Sequence, residues 1–195
     1  LKPYRAAQCR RFPGGKVFFE GGEVKLSRAW AMPNADTFSI KPIKMLIANE
    51  FSRIKTPKAI DPFVRNSPFK SLCVSNDLDP AIDADFHLDA LDFLRGQKED
   101  AFDLVLFDPP YSPRQVSECY KSLNKTVNMQ TTQASFWGNL KDEIGRITKP
   151  GGRVVTCGWN SGGIGKKHGF QIVSVLLVAH GGWHNDTIAT VEEKQ

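Results

Sequence analysis

Several short apolar runs in this chain close on an aspartate, and that pattern constrains the fold more than any other feature. Ala59-Ile60 leads to Asp61, Leu72-Cys73-Val74 to Asp77, and residues 102–107 to Asp108; Phe86-His87-Leu88 before Asp89 is a weaker instance. A strand that is apolar throughout, without alternation, is what a parallel sheet covered on both faces requires. Ligands of such sheets bind outside the carboxyl ends of the strands, which is where these aspartates fall. The pattern therefore predicts an α/β fold with a mostly parallel sheet and an acidic site along one end.

The remaining segments fit that frame. Residues 17–20 and 23–28 flank Gly21-Gly22 and read as a β-hairpin. Ser39 offers a helix N-cap and Pro42 sits in the first turn. Ile43, Leu46, Ile47, Phe51 and Ile54 then share one helical face up to Pro57. A second helix is predicted over 132–148, presenting Phe136, Leu140, Ile144 and Ile147 and stopping at Lys149-Pro150-Gly151-Gly152. Three strands follow at 153–157, 170–179 and 187–191, the last two close enough to pair antiparallel. Only nine residues separate Asp61 from Ser71, too few for a crossover helix, so a loop is expected there.

Composition narrows the function classes. At 195 residues and 41% hydrophobic content the chain can bury one core, and its longest apolar run, residues 175–179, is far short of a membrane span. No secretory signal pattern is visible at Leu1-Lys2-Pro3-Tyr4-Arg5. Cys9, Cys73, Cys119 and Cys157 show no CxxC spacing, which argues against a zinc knuckle or disulfide framework and fits a reducing cytoplasm. The net charge of +5 is unevenly placed. Residues 1–16 carry five bases and no acid; 77–108 carry ten acids against two bases; 109–167 carry nine bases against three acids. Such segregation suits a cationic ligand in one place and a polyanion in another, although a solvated surface would look the same.

The chemistry is concentrated in Asp108-Pro109-Pro110-Tyr111, directly after an apolar strand. Two prolines hold the backbone extended and rigid, which fixes the Asp108 carboxylate and the Pro109 carbonyl as acceptors. Two fixed acceptors suit an exocyclic amino group, and Tyr111 offers a flat surface for the ring that bears it.

Asp-Pro-Pro-Tyr after such a strand resembles the catalytic tetrapeptide of S-adenosylmethionine-dependent amino methyltransferases, above all the DNA adenine-N6 methyltransferases. The resemblance runs in order over residues 36–193. Phe38-Ser39-Ile40 resembles the segment beside the methionine part of the cofactor, and Asp61-Pro62-Phe63 resembles the DPF of the first cofactor motif. Asp77, with Leu78, resembles the acid on the cofactor ribose, and Asp89-Ala90 the acid on its adenine. Lys149-Pro150-Gly151-Gly152 resembles the turn before the fifth strand. The resemblance implies a Rossmann-like class I methyltransferase sheet, mostly parallel with an antiparallel C-terminal hairpin. It implies S-adenosylmethionine as cofactor, DNA as partner with RNA as the alternative, and a cytoplasmic protein of prokaryotic or phage type.

Two departures from that family stand out. Val64-Arg65-Asn66-Ser67-Pro68 replaces the glycine-rich turn, so Arg65 or Asn66 is expected to hold the methionine carboxylate. No segment after Tyr111 is long enough for a target-recognition domain, so a specificity partner or a homodimer is a further expectation. The domain reading is a basic N-terminal arm with a hairpin over 1–35 and the methyltransferase domain over 36–195. Arg114, Lys121, Lys166 and Lys167 are the candidate phosphate contacts, and Trp183 a candidate for stacking on the target base or for capping its turn. No GxxxxGK[ST] register exists around Lys166. His180, His184 and Asp186 read as ordinary turn residues, so no metal site is expected. No cysteine follows a proline, which disfavours cytosine-C5 chemistry. The remaining alternatives are an RNA or protein amino methyltransferase, or a non-catalytic nucleic-acid-binding subunit that kept the fold.

Overall fold

In the computed structural model, residues 16–19, 22–123 and 134–195 are described, and the runs that close on Asp61, Asp77 and Asp108 lie in one sheet. Its strands are β1 (Lys16–Phe19), β2 (Gly22–Trp30), β3 (Ala59–Asp61), β4 (Cys73–Ser75), β5 (Phe102–Phe107), β6 (Thr148–Gly158), β7 (Phe170–Ala179) and β8 (Thr187–Lys194). They are ordered β1-β2-β7-β8-β6-β5-β3-β4. The pairs β2·β7, β3·β4, β3·β5 and β5·β6 are parallel, and β8 runs antiparallel to both of its neighbours. The sheet is thus mostly parallel with an antiparallel C-terminal pair, as the sequence predicts.

Strand β5 shows why its sequence is apolar at every position but Asp103. Phe102, Val105 and Phe107 pack on one face with α2 (Ala90–Arg95), α3 (Pro113–Ser122) and α4 (Ala134–Ile147). Leu104 and Leu106 pack on the other with α1 (Lys41–Ser52). Ile43 and Ile47 of α1 and Leu140, Ile144 and Ile147 of α4 are fully buried, each side chain stabilising the fold by roughly 1.5–3 kcal/mol.

Several local expectations are corrected. Ser39 does not cap α1: Ile40 holds the cap position without a side-chain bond, and Pro42 alone marks the first turn. Ile54 lies past the end of α1 and is exposed. Gly22 pairs with Phe19 inside the hairpin ladder instead of forming the turn, and β2 then pairs with β7, so the hairpin lengthens the sheet. Residues 86–88 form one isolated bridge, not a strand, because the Asn76 side chain takes the place of a ladder. Its Oδ1 accepts from Leu88 N at 2.9 Å, and its Nδ2 donates to the Leu88 and Pro62 carbonyls at 3.1 and 3.2 Å. Lys149-Pro150-Gly151-Gly152 is not a turn before β6 but an irregularity within it. Gly151 adopts φ 74°, and the register shifts between the Phe102 and Leu104 pairings.

The loop predicted after β3 is present. Residues 62–72 link two parallel strands with only a short helical turn at Lys70–Leu72. The connection from β6 to β7 likewise has only a short helical turn, Lys166–His168. It is fastened by Glu192 on β8, whose buried carboxylate accepts from Ile164 N at 2.5 Å and Gly165 N at 2.9 Å. Gly163 has φ 51°, and a Cβ there would overlap that carboxylate. Residues 1–15 of the basic arm and residues 132–133 of the predicted second helix lie outside the described residues.

Candidate active site

The carboxyl ends of β3, β4, β5 and β6 open on a cleft of about 680 Å³. It sits where ligands of open α/β sheets bind. Of the residues singled out by the sequence, Ile40, Pro62, Phe63, Arg65, Asp77, Leu78, Asp89, Ala90, Asp108, Pro109, Pro110 and Tyr111 line it. Phe38 is buried in the core against α1, Ser39 is exposed, and Asn66 turns to Asp36, with Nδ2 3.4 Å from both carboxylate oxygens.

Asp61 ends β3 and lies fully buried beneath the cleft. Its Oδ1 accepts from Phe63 N at 3.1 Å, and its Oδ2 has no hydrogen-bond partner. Burial without compensation pushes its pKa up to about 8, and the charges of Asp108 and Asp77 add to that rise.

Asp77 organises the wall beside it. Its Oδ2 accepts from Arg65 N at 3.0 Å, which stabilises Arg65 at φ 42° in the left-handed region, and its Oδ1 accepts from Asp79 N at 2.9 Å. A carboxylate has about four lone-pair sites, so both oxygens can accept further bonds. Asp89 is the N-cap of α2, with Oδ1 accepting from Leu91 N at 3.0 Å; the Tyr120 hydroxyl donates to its Oδ2. Arg65 is the one Lys or Arg among the described residues lining the cleft.

The tetrapeptide sits where β5 hands over to α3. Ser112 caps that helix through Gln115 N, and the Gln115 side chain accepts from Tyr111 N at 2.6 Å. Trp137 on α4 donates from Nε1 to the Pro110 carbonyl at 3.0 Å, so a second helix fixes the same segment. The Tyr111 hydroxyl donates to Asp108 Oδ1, leaving Oδ2 of that carboxylate outside this bond. Burial raises the proton affinity of Asp108, although hydrogen bonds from Tyr111 and Thr37 and the Arg65 charge work the other way. Burial also raises the Tyr111 pKa, so this residue is the donor of the pair. Trp159, just beyond β6, meets the Tyr111 ring edge-on at 5.5 Å.

The candidate nucleic-acid residues are not gathered in one place. Arg114 and Lys121 are exposed on α3, next to the cleft, and Arg114 is paired with Glu118 at 2.7 Å. Lys166 and Lys167 precede the amino end of β7, so they lie at the opposite end of the sheet from the cleft. Trp183 is fully exposed in the β7–β8 turn, whose His184 and Asn185 line the cleft. His180 is buried, its ring 2.8 Å from both the Ala31 carbonyl and Thr187 Oγ1. Among the described residues no cluster of three or more metal-ligating side chains occurs, and no helix is long and apolar enough to cross a membrane.

Sequence reasoning missed Asn76, Trp159 and Tyr120. Asn76 and Trp159 each follow a predicted strand at its carboxyl end, and that position was a usable signal. Tyr120 is 31 residues from Asp89, and no local pattern marks it.

No family model matches the chain, and no curated protein matches it. Solved structures do resemble it. TrmN from Thermus thermophilus superposes with a TM-score of 0.52 at 17% identity, over 80% of this chain and 49% of that one. The fold is that of the Rossmann-like class I methyltransferases. The N-methyltransferase NodS from Bradyrhizobium japonicum gives a TM-score of 0.54 at 11% identity, over 80% of this chain and 96% of its own. The 1,6-didemethyltoxoflavin-N1-methyltransferase of Burkholderia thailandensis, solved with bound 1,6-didemethyltoxoflavin and S-adenosylhomocysteine, gives 0.53 at 11%, over 76% of each chain. This chain spans about half the length of TrmN, and at these identities the likeness is one of fold.

Proposed function

We propose that this chain is an S-adenosylmethionine-dependent methyltransferase that methylates the N6 amino group of adenine in DNA. The observation that carries this reading is the placement of Asp108-Pro109-Pro110-Tyr111 on the wall of the cleft, with Asp108 Oδ1 held by the Tyr111 hydroxyl.

The donor set fits the cofactor. Asp77 would accept from the ribose hydroxyls and Asp89 from the adenine amine. Arg65 would pair with the methionine carboxylate, while Phe63, Leu78 and Ala90 cover the apolar parts. The carboxylate-rich wall suits a cation. When bound, S-adenosylmethionine supplies an electrophilic methyl group.

The chain's own residues prepare the amine. An aromatic amine is a weak nucleophile because its lone pair is delocalised into the ring. Hydrogen bonds from the two N6 hydrogens to Asp108 Oδ2 and the Pro109 carbonyl draw the nitrogen toward tetrahedral geometry and free that lone pair. The raised proton affinity of Asp108 lets Oδ2 receive the proton that the amine gives up. The Tyr111 ring, braced by Trp159, stacks on an adenine taken out of the duplex, which offsets part of the unstacking cost.

Tritiated-methyl transfer to unmethylated DNA, followed by nucleoside analysis, tests the reading. Label is expected in adenine with the wild-type chain and at background with Asp108→Ala, whose fold is checked by circular dichroism. Label in cytosine, or full activity in Asp108→Ala, overturns it.

A further inference from the structure

Three indoles stand exposed at the cleft end of the sheet, and the fold does not need them there. Trp30 closes β2 and is 66% exposed, Trp159 follows β6 at 46%, and Trp183 in the β7–β8 turn makes no packing contact at 103%. Leaving a ring of this size in water forfeits about 1.5–3 kcal/mol of burial, so three at one end of the molecule call for an occupant.

Their placement is ordered. β2, β7, β8 and β6 are consecutive in the sheet, so the three rings are carried across three inter-strand spacings, roughly 14 Å. The two segments that carry Trp30 and Trp183 are tied together. Ala31 N donates to the Ala179 carbonyl at 3.1 Å, and the buried His180 ring bonds Ala31 and Thr187. A Cβ on Gly181 would stand 3.5 Å from Trp30 Nε1. At the inner end of the row, Trp159 touches Tyr111.

The surroundings indicate what these rings meet. Trp159 lines the cleft together with Pro33, Asn34, His184 and Asn185, whereas Trp30 and Trp183 stand outside its lining, so the indoles do not make one continuous apolar patch of the kind that buries a protein partner. Arg65 lines the cleft, and Arg114 and Lys121 are exposed on α3 beside it, so a few cations are available to a phosphate backbone. Single-strand binding combines such cations with aromatic faces, and ring faces are accessible on bases only where they are unpaired.

We infer that Trp30, Trp159 and Trp183 form a stacking rim for the unpaired nucleotides that flank the target base, so that the preferred substrate is a single strand or a locally opened duplex. The inference rests on the nucleic-acid reading of the site given above and specifies the state of the strand.

The test is binding without cofactor, so it does not depend on methyl transfer. A fluorescein-labelled DNA strand of about a dozen nucleotides, within the usual range for one single-strand-binding domain, is titrated unpaired and annealed to its complement. The unpaired strand is expected to bind at least about tenfold tighter and to quench the tryptophan fluorescence. Trp183→Ala is expected to weaken unpaired binding about tenfold, leave duplex binding unchanged and be largely rescued by Trp183→Phe. Trp183 touches nothing in the core, so its removal does not threaten the fold. Equal or tighter duplex binding, or unchanged affinity in Trp183→Ala, overturns the rim. Concentration-dependent dimerisation abolished by Trp183→Ala would also overturn it, by showing that a second copy covers these rings. If the strands bind as expected but no methyl group is transferred, the proposed function fails and the rim stands. If Trp183→Ala leaves binding of the unpaired strand unchanged while the wild-type chain transfers the methyl group, the rim fails and the function stands.

Discussion

The substitution Asp61→Asn replaces a buried titratable carboxyl with a neutral amide while keeping the side-chain shape and the acceptor for Phe63 N–H. The wild-type carboxyl titrates at about 8 in the folded chain against an ordinary 3.8, because burial disfavours its ionised form. Between those values the folded state holds one proton that the unfolded state has released. The stability contribution of this carboxyl is therefore intact below about pH 4 and falls by about 1.4 kcal/mol for each pH unit up to about pH 8. The amide introduced by the substitution does not titrate, so the variant lacks this slope. Its Nδ2, placed where Oδ2 has no partner, costs about 1–3 kcal/mol at every pH. The two stability curves should cross. The variant is weaker below about pH 4 and stronger near about pH 8, and the difference between the curves changes by about 4 kcal/mol between about pH 5 and about pH 8. Urea unfolding at several pH values measures this directly. Parallel curves, differing by a constant offset across the whole range, would refute the claim that Asp61 is buried with an uncompensated oxygen.

Two further outcomes follow from local geometry. Gly163→Ala places a methyl group into the Glu192 carboxylate and forces a left-handed backbone on alanine, so a loss of about 2–4 kcal/mol is expected in urea unfolding. Gly169→Ala, also left-handed but facing open space, should cost only about 1–2 kcal/mol. At the tetrapeptide, Tyr111→Phe keeps the ring and loses the bond to Asp108, whereas Tyr111→Ala loses both. In the methyl-transfer assay the alanine variant should be the slower of the two, and equal rates would shift the role of Tyr111 from its ring to its hydroxyl.

The core of the fold was legible because of how it is buried. Strand β5 is covered on both faces and is apolar except at Asp103, while β7 is apolar except at Gln171 and Ser174, and the limits of β7 coincide with the expected ones. Helix α4 was visible through Phe136, Leu140, Ile144 and Ile147, which fall on a single buried stripe. Helix α2 was not visible, since six residues are too few to show a period. Long-range side-chain bonds were equally hidden. Asn76 replaces a strand ladder, and Tyr120 reaches Asp89 across 31 residues; neither leaves a periodic trace. Asp77, Asp89 and Asp108 were readable because each follows the end of a strand or caps a helix. The lysines at 166 and 167 were grouped with Arg114 and Lys121 by charge alone, and charge does not say at which end of a sheet a loop will emerge. The exposed indoles at 30 and 159 passed unnoticed because a tryptophan at a strand end reads as core until its exposure is known.

The account depends most on the cleft being an S-adenosylmethionine site held by Asp77. Isothermal titration of the wild-type chain with S-adenosylmethionine should give one binding event per chain. Asp77→Ala loses charge-assisted hydrogen bonds worth roughly 1.5–3 kcal/mol each, so its affinity should fall at least about tenfold. Asp79→Ala keeps the backbone N–H that donates to Asp77 and should bind like the wild type. No heat of binding from the wild-type chain, or undiminished affinity in Asp77→Ala, would contradict the central claim.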